Sequence, residues 1–337
     1  MRAAMERFET IGIIGAGAWG SALALVAARA GKKAILWGRD AETVASVNAG
    51  TGNPRYLPGI AFKEAVSATT DLAEAARANL LLLVTPAQTL RAILRDLAPL
   101  VAEGTPVVLC AKGIERATGR LMSEVLAEEL PQARPAALSG PSFASDVAKG
   151  LPTAVTVASP DGALADAIAD GLSTPAFRPY AATDLIGVEI GGALKNVLAI
   201  AAGAVAGARL GKSAEAALIA RGFAEIRRFS RNRRAEPETL MGLSGLGDLM
   251  LTCSSVQSRN YAFGIRIGEG AAVADLLAEG CPLAEGAMTA PVARDLARVE
   301  AIDMPITEVV AEIVEGSLAL DAAIDRLMRR PLKREEA

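Results

Sequence analysis

Apolar and polar positions are arranged in two different ways along the chain, and the change comes near residue 184. Before it, short runs of apolar, often β-branched residues are separated by stretches with helical spacing, and after it only helical spacing continues. We predict strands at residues 10–14, 33–37, 80–84, 106–110, 136–138, 153–158 and 177–180. Strands that alternate with helices predict a mostly parallel sheet with helices on both faces.

A glycine-rich turn follows the first predicted strand and opens a predicted helix at residues 21–30. Its glycines are Gly15, Gly17 and Gly20, spaced as G-x-G-x-x-G. In this pattern the first glycine makes the tight turn, the second admits a pyrophosphate, and the third lets the helix pack on the strand. The helix N-terminus then offers N–H groups to the phosphates. An ordinary glycine-rich turn is the alternative, but the flanking strands and helix favour dinucleotide binding.

These patterns predict an α/β protein. An N-terminal Rossmann-type domain with a parallel sheet covers residues 1–183, and an all-helical domain that binds substrate and carries out catalysis covers residues 184–337. Thr183 is the candidate N-cap of the first helix of the second domain.

The end of the second predicted strand bears on which coenzyme binds. An acid at this place normally bonds the ribose 2′-hydroxyl of NAD. Here Arg39 precedes Asp40. Arg39 could pair with the 2′-phosphate of NADP or stack on adenine, which favours NADP, whereas Asp40 keeps NAD possible. In the third interpretation, Arg39 is exposed to solvent and has no role in coenzyme binding.

Within the predicted helical part, Gly191 and Gly192 precede Lys195 at positions that share a helix face with it. Each interior glycine costs a helix roughly 1 kcal/mol relative to alanine, so the pair needs an explanation. Close packing of another backbone is one, and a ligand held against the lysine is the other. The chain has no histidine, so proton transfer near neutral pH must use another group, and lysine is a candidate.

Other candidate residues follow predicted strands or lie in glycine-rich loops. Lys112 comes just after a buried strand. This position favours a role in the crevice beyond the strand ends over an ordinary solvated surface lysine. Asp248 leaves a glycine-rich turn, and Arg259, between a hydroxyl and an amide residue, suits a small phosphate or carboxylate. Each of the last two could be an ordinary loop residue.

Composition and charge exclude several classes of protein. The net charge of −3 gives no reason to expect nucleic acid or an anionic membrane as partner. Three scattered cysteines indicate free thiols in a reducing compartment. The first ten residues do not resemble a secretory signal, and the apolar run at residues 197–208 is too short to span a bilayer. We therefore expect a cytoplasmic protein without membrane insertion.

Six motifs, in order and with matching spacing over nearly the whole chain, resemble the bacterial NAD(P)-dependent glycerol-3-phosphate dehydrogenases. They are GAGAWG at 15–20, AKG at 111–113, SGPSFA at 139–144, GGALKN at 191–196, GLGD at 245–248 with LTC at 251–253, and QSRN at 257–260. Two departures occur: Ala18 stands where a serine is common, and Met288 differs from many members.

The resemblance assigns residues to roles. Lys195 corresponds to the catalytic acid/base. The residues that correspond to substrate contacts are Lys112, Gly140, Ser142, Lys195, Asn196, Asp248, Thr252, Ser258, Arg259 and Asn260. Besides the three loop glycines, those that correspond to coenzyme contacts are Ala18, Trp19, Arg39, Lys112, Ala144, Arg259, Leu283 and Glu285.

The resemblance implies reversible reduction of dihydroxyacetone phosphate to sn-glycerol 3-phosphate with NADP or NAD, which supplies glycerophospholipid synthesis. It implies a small phosphorylated triose as substrate and no metal ion, and a homodimer is a candidate assembly. A 3-hydroxyacid or sugar-acid dehydrogenase of the same two-domain build is the alternative enzyme. A coenzyme-sensing protein without turnover is the alternative from another class.

Overall fold

The computed structural model describes residues 6–62, 64–278, 281–331 and 334, and its first part is built on one eight-stranded sheet. The strands are β1 (Thr10–Ile14), β2 (Lys33–Trp37), β3 (Val66–Thr69), β4 (Leu80–Leu83), β5 (Pro106–Leu109), β6 (Arg134–Ser139), β7 (Thr153–Ala158) and β8 (Phe177–Ala182). They lie in the order β3-β2-β1-β4-β5-β6-β7-β8. The first six have the order of a dinucleotide-binding Rossmann sheet.

All neighbouring strands in the sheet are parallel except β6 and β7, which are antiparallel. The four leucines of β4 are fully buried, as expected for a central strand that is covered on both faces. The predicted mostly parallel sheet is therefore confirmed.

In the described part of the first 183 residues, seven α-helices and one short 3-10 helix (Ala87–Thr89) accompany the strands. The α-helices are α1 (Ala18–Arg29), α2 (Ala41–Asn48), α3 (Leu72–Ala76), α4 (Leu90–Leu97), α5 (Met122–Glu129), α6 (Ala144–Ala148) and α7 (Gly162–Leu172). One apolar cluster includes Leu23 and Ile168 on one face of the sheet, and a second includes Leu94 and Val125 on the other. The sheet thus lies between two helical layers, and its strand ends are free to carry loops.

Among the described residues that follow the sheet, every regular element is a helix or a helical turn. The α-helices are α8 (Leu185–Gly207), α9 (Lys212–Asn232), α10 (Pro237–Met241), α11 (Asp248–Thr252), α12 (Arg259–Gly268), α13 (Val273–Leu276), α14 (Glu285–Val299), α15 (Pro305–Val314) and α16 (Leu320–Met328). A π-helical turn, Leu243–Gly247, precedes α11. The predicted helical second part is confirmed.

The chain packs into two compact units. The first contains the residues up to Gly192 together with Arg234–Asp248, and the second contains Ala193–Arg233 and the residues from Leu249 onward. The predicted boundary between functional domains at residue 184 stays a prediction.

On its own, the apolar run at residues 197–208 is too short to span a bilayer. The whole of helix α8 is longer, and it could cross a membrane by length and composition. However, 94% of its most apolar window is buried inside the protein. Burial of this kind is typical of a core helix, so α8 is not a clear membrane span.

Several bounds shift slightly from the sequence-based prediction, as for α1, which begins at Ala18 rather than at residue 21, and two features differ more. Strand β3 was not predicted, because it is a short edge strand in which Ser67 and Thr69 interrupt the apolar pattern. The cap of α8 is Asp184 rather than Thr183, since Asp184 Oδ1 accepts a hydrogen bond of 2.8 Å from Gly187 N. Asp184 Oδ2 also accepts one from Glu236 N, which holds the segment before α10 to the start of α8.

A buried carboxyl group on α8 makes the stability of the first unit depend on pH. Glu189 accepts hydrogen bonds from the amide and hydroxyl of Ser123 on α5. Its burial raises its pKa from 4.5 to about 7, and these hydrogen bonds only partly oppose the shift. The folded state therefore holds a proton that the unfolded chain releases near pH 4.5, so this contribution to stability is complete below pH 4.5 and is lost as pH rises to 7.

We predict that Glu189→Gln removes this pH dependence. Glutamine keeps the shape and stays neutral, so the variant should gain about 3 kcal/mol of unfolding free energy relative to the parent between pH 5 and pH 8. Urea denaturation at the two pH values measures the difference. Glu103→Gln, at an exposed acid, is the matched control and should show no such gain.

Candidate coenzyme and substrate sites

The turn between β1 and α1 has the geometry that a bound pyrophosphate requires. Gly15 has φ of 125°, and a Cβ there would lie 2.7 Å from the carbonyl oxygen of Val84. A Cβ on Gly20 would lie 1.8 Å from the carbonyl oxygen of Gly15, so helix and turn are in close contact. Above Gly17, by contrast, no described heavy atom lies within 4 Å of where a Cβ would be. The turn is therefore open only at its second glycine, which fits close approach of a dinucleotide.

Asn53 holds this turn in place, and the sequence did not single it out. Its side chain is fully buried, and Nδ2 donates hydrogen bonds of 2.8 Å to the carbonyl oxygen of Ala16 and to Ser21 Oγ. Its Oδ1 accepts a hydrogen bond from Tyr56 N. Asparagine followed by proline is typical of turns, but no local pattern shows the distant partners of this side chain.

The residues after β2 carry charges of both signs. Arg39 is exposed. Asp40 Oδ2 accepts a hydrogen bond of 2.5 Å from Thr43 Oγ1 and lies 3.6 Å from Arg55 Nη1. The hydrogen bond from Thr43 is the main reason why the pKa of Asp40 is below its usual value. Asp40 is therefore ionised at neutral pH.

Four predicted substrate residues come together within the first unit. Lys112 Nζ lies 2.7 Å from Asp248 Oδ2 and 3.5 Å from the carbonyl oxygen of Gly140, which also accepts a hydrogen bond from Ser142 Oγ. The ends of β5 and β6 bring these groups together, because Lys112 follows β5 and Gly140 follows β6. Asp248 is almost fully buried. Lys112 is thus part of an ion pair rather than a solvated surface lysine.

Protein atoms occupy the space beside the two adjacent glycines of α8. A Cβ on Gly191 would lie 2.8 Å from the carbonyl oxygen of Ser244, and a Cβ on Gly192 would lie 3.0 Å from Ser139 Oγ and 3.4 Å from Lys112 Cγ. Close packing therefore accounts for both glycines, and the idea that they leave room for a ligand stays a prediction. Ser139 Oγ, buried without a hydrogen-bond partner among the described residues, lines a small cavity together with Lys112 and Gly192.

We predict different outcomes for alanine at the two glycines. Gly191→Ala would press on the backbone of the π-helical turn, so we expect a net loss of about 1–2 kcal/mol of stability despite the gain in helix propensity. Gly192→Ala meets only side chains, so its stability should change by less, whereas activity should fall because Lys112 is displaced. Thermal unfolding and steady-state rates of both variants measure the two effects. Equal stability loss in both variants would contradict this reading.

Lys195 lies within the second unit and is 6% exposed. Its Nζ donates a hydrogen bond of 2.7 Å to Thr252 Oγ1, in the last turn of α11. A buried amine held at its tip by a hydroxyl group has one defined position. It can stabilise an adjacent oxyanion as an ammonium group or give it a proton.

Three further predicted residues, Asn196, Asn260 and Glu285, lie around Gly286 at the start of α14. The backbone of Asn196 lies against Gly286, where a Cβ would be 2.5 Å from the carbonyl oxygen of Asn196. Gly286 N also donates a hydrogen bond of 2.9 Å to Asn260 Oδ1. The start of α14 is thus fixed to both α8 and α12, which places Glu285 next to them.

Helices α8 and α12 touch through their backbones. A Cβ on Gly203 or Gly207 would lie 2.1 or 2.2 Å from the carbonyl oxygens of Tyr261 and Ile265. In return, a Cβ on Gly264 would lie 2.1 Å from the carbonyl oxygen of Ile200. No side chain separates these backbones, so the glycines set the distance between the helix that carries Lys195 and the helix that begins at Arg259.

The remaining predicted residues occupy loops and helix starts. Arg259 is exposed at the first position of α12, and Ser258 Oγ caps that helix by accepting a hydrogen bond from Tyr261 N. Leu283 is exposed before α14. Ala18, Trp19 and Ala144 all pack against the same apolar cluster of the first unit. Among the described residues, no group of three or more histidine, cysteine, aspartate or glutamate side chains could hold a metal ion.

Comparison with known families agrees with the motifs. The profile of the NAD-dependent glycerol-3-phosphate dehydrogenase N-terminus matches residues 10–165, and that of the C-terminus of the same enzymes matches residues 184–325.

Individual relatives are similar over nearly their whole length. Glycerol-3-phosphate dehydrogenase (NAD(P)+) of Bradyrhizobium sp. (strain ORS 278) is 56% identical over 98% of this chain and 99% of its own length. The enzyme of that name from Brucella canis is 56% identical over 97% and 99%. The crystal structure of glycerol-3-phosphate dehydrogenase from Coxiella burnetii superposes with a TM-score of 0.90 at 39% identity, covering 96% of this chain and 99% of the other.

Proposed function

The chain belongs to the NAD-dependent glycerol-3-phosphate dehydrogenase family, and we propose that Lys195 is its catalytic acid/base. The chain is an NAD(P)-dependent oxidoreductase that interconverts dihydroxyacetone phosphate and sn-glycerol 3-phosphate. The 3-hydroxyacid alternative is not favoured, because the relatives that match the whole chain at 56% identity carry the glycerol-3-phosphate name.

The observation that carries the assignment of Lys195 is its burial together with the 2.7 Å hydrogen bond to Thr252. The nicotinamide coenzyme supplies the hydride when bound. During reduction, negative charge grows on the carbonyl oxygen of the substrate, and the ammonium group of Lys195 stabilises this charge and gives up its proton. In the oxidative direction the neutral amine takes the proton from the hydroxyl group. Thr252 orients the amine for both steps.

Lys112 and Asp248, in the first unit, hold the substrate in this proposal. The ion pair fixes the ammonium group of Lys112 at 2.7 Å from a buried carboxylate, and the loop containing Gly140 and Ser142 adds a carbonyl and a hydroxyl. Arg259, exposed at the start of α12 and followed by Asn260, suits the substrate phosphate because a helix N-terminus and a guanidinium group both favour an anion. Asn196 and Ser258 complete the proposed substrate contacts.

The glycine-rich turn supports the coenzyme assignment. The open space above Gly17, with Gly15 and Gly20 in close contact behind it, accommodates a pyrophosphate. Ala18, Trp19 and Ala144 lie on the same part of the first unit, whereas Leu283 and Glu285 belong to the loop and start of α14. We propose a preference for NADPH, because within the described part of the chain Arg39 forms no ion pair and is exposed to meet a 2′-phosphate.

One spectrophotometric assay tests the reaction and the coenzyme preference together. Oxidation of NADPH and of NADH is followed with dihydroxyacetone phosphate and with a panel of 3-keto acids. We expect turnover with the triose phosphate and a higher kcat/KM with NADPH. Turnover of only the keto acids would contradict the substrate, and binding of coenzyme without oxidation would indicate a sensor.

We also propose a role in glycerophospholipid synthesis and a cytoplasmic location. The product supplies the backbone of glycerophospholipids, and a cytoplasmic location agrees with free cysteines and a buried apolar helix. The homodimer stays a prediction, which light scattering of the purified protein tests.

A further inference from the structure

The loop after α2 places a cation beside the acid at the end of β2. Arg55 Nη1 lies 3.6 Å from Asp40 Oδ2, and the guanidinium group also lies over the ring of Tyr56, 5.2 Å from its centroid. The buried Asn53 ties this loop to the glycine-rich turn through its hydrogen bond to the carbonyl oxygen of Ala16. The position of Arg55 is therefore linked to the part of the molecule that fits a dinucleotide.

Asp40 presents a difficulty for a coenzyme with a 2′-phosphate. A carboxylate near the end of the second strand accepts a hydrogen bond from a ribose 2′-hydroxyl, but it repels a phosphate at the same place. Asp40 is ionised, since the hydrogen bond from Thr43 keeps its pKa below the usual value. Arg39 alone would have to overcome this repulsion.

We propose that Arg55 is a coenzyme-selectivity residue that acts through Asp40. Its positive charge offsets the carboxylate, so that a 2′-phosphate can be bound by Arg39 next to an acid that would otherwise exclude it. The inference rests on the proposed function, because it assumes that the adenosine ribose lies at the end of β2. Arg55 thus joins the residues that decide between NADPH and NADH, although it lies outside the glycine-rich turn and the end of β2.

The test is the ratio of kcat/KM for NADPH to kcat/KM for NADH in Arg55→Gln. We expect the ratio to fall by about fivefold or more, through a higher KM for NADPH, because the carboxylate of Asp40 is no longer offset and repels the doubly charged 2′-phosphate. The melting temperature should not change, since an ion pair this exposed contributes little to stability. The loss should shrink at high salt, where exposed charges are screened.

Two further variants separate this role from a general effect of charge. In an Asp40→Asn background, Arg55→Gln should change the ratio by less than twofold, because no carboxylate is left to offset. Arg77→Gln removes the same charge from an exposed residue that precedes β4, on the side of the amino ends of these parallel strands, and should leave the ratio unchanged.

A ratio in Arg55→Gln within twofold of the parent would overturn the proposal, and so would an equal loss in the Asp40→Asn background. Failure of the proposed function would look different, because the parent protein would not oxidise either coenzyme with dihydroxyacetone phosphate. In that case the Kd ratio for NADPH and NADH, from fluorescence titration, still decides the role of Arg55.

Discussion

Replacing Lys195 with methionine is expected to lower kcat for the reduction of dihydroxyacetone phosphate by about 10³-fold, with little change in the Kd for NADPH. Methionine keeps the length and packing of the side chain but has no proton to give and no charge for the developing oxyanion. A positioned general acid contributes typically about 10²- to 10⁴-fold to a rate, and loss of an electrostatic contact to the oxyanion adds to this. Most proposed coenzyme contacts lie on other elements, so binding should persist.

Stopped-flow single-turnover rates together with fluorescence titration of NADPH measure the two quantities. Lys212→Met is the matched control, because Lys212 is a highly exposed lysine on α9, and it should retain full activity. If Lys195→Met kept more than about a tenth of the parent rate, another group would have to supply the proton.

Lys112→Met is expected to lower both stability and activity. The change removes the ammonium group that lies 2.7 Å from Asp248 Oδ2, and Asp248 is 2% exposed. Breaking a buried ion pair from one side typically costs about 3–5 kcal/mol. We also expect kcat/KM for dihydroxyacetone phosphate to fall by about 10²-fold, because an anionic substrate loses a positioned cation.

The double variant Lys112→Met with Asp248→Asn separates these two effects. Removing both charges also removes the buried carboxylate charge that has lost its ion pair with Lys112, so urea denaturation should show most of the stability restored. Activity should stay low, since the cation that holds the substrate is still missing. Recovery of activity together with stability would show that Lys112 only supports the fold.

The sequence predicted the sheet well where strands are central and buried. The bounds of β1, β2 and β7 agree with the predicted residues, because each is a mostly apolar run between polar, glycine or proline residues. Strand β3 was missed since an edge strand with one solvent-facing side carries a weaker apolar signal. The cap of α8 was placed one residue early because Thr183 and Asp184 are both good N-cap residues, and only the hydrogen bond to Gly187 N distinguishes them.

The candidate site was predictable to the extent that its residues lie in local motifs. The motifs indicated Lys112 and Asp248 separately, but their ion pair joins positions 136 residues apart, which no local pattern shows. The same is true of Asn53, whose partners are distant in sequence. Glu189 could have been noted, because a carboxylate in an apolar helical stretch must find buried hydrogen-bond donors. Its partner Ser123 could not.

The backbone contact between α8 and α12 has a consequence for redesign of the enzyme. Laboratory evolution toward a longer or bulkier substrate would ordinarily vary residues near Arg259 and Lys195. Methyl groups at Gly203, Gly207 or Gly264, which lie further along the same two helices, would push these helices apart. Misplacement of catalytic groups by about 1 Å can cost 10²-fold in rate. Libraries that leave these glycines unchanged should therefore contain a larger share of active clones than libraries of equal size that include them.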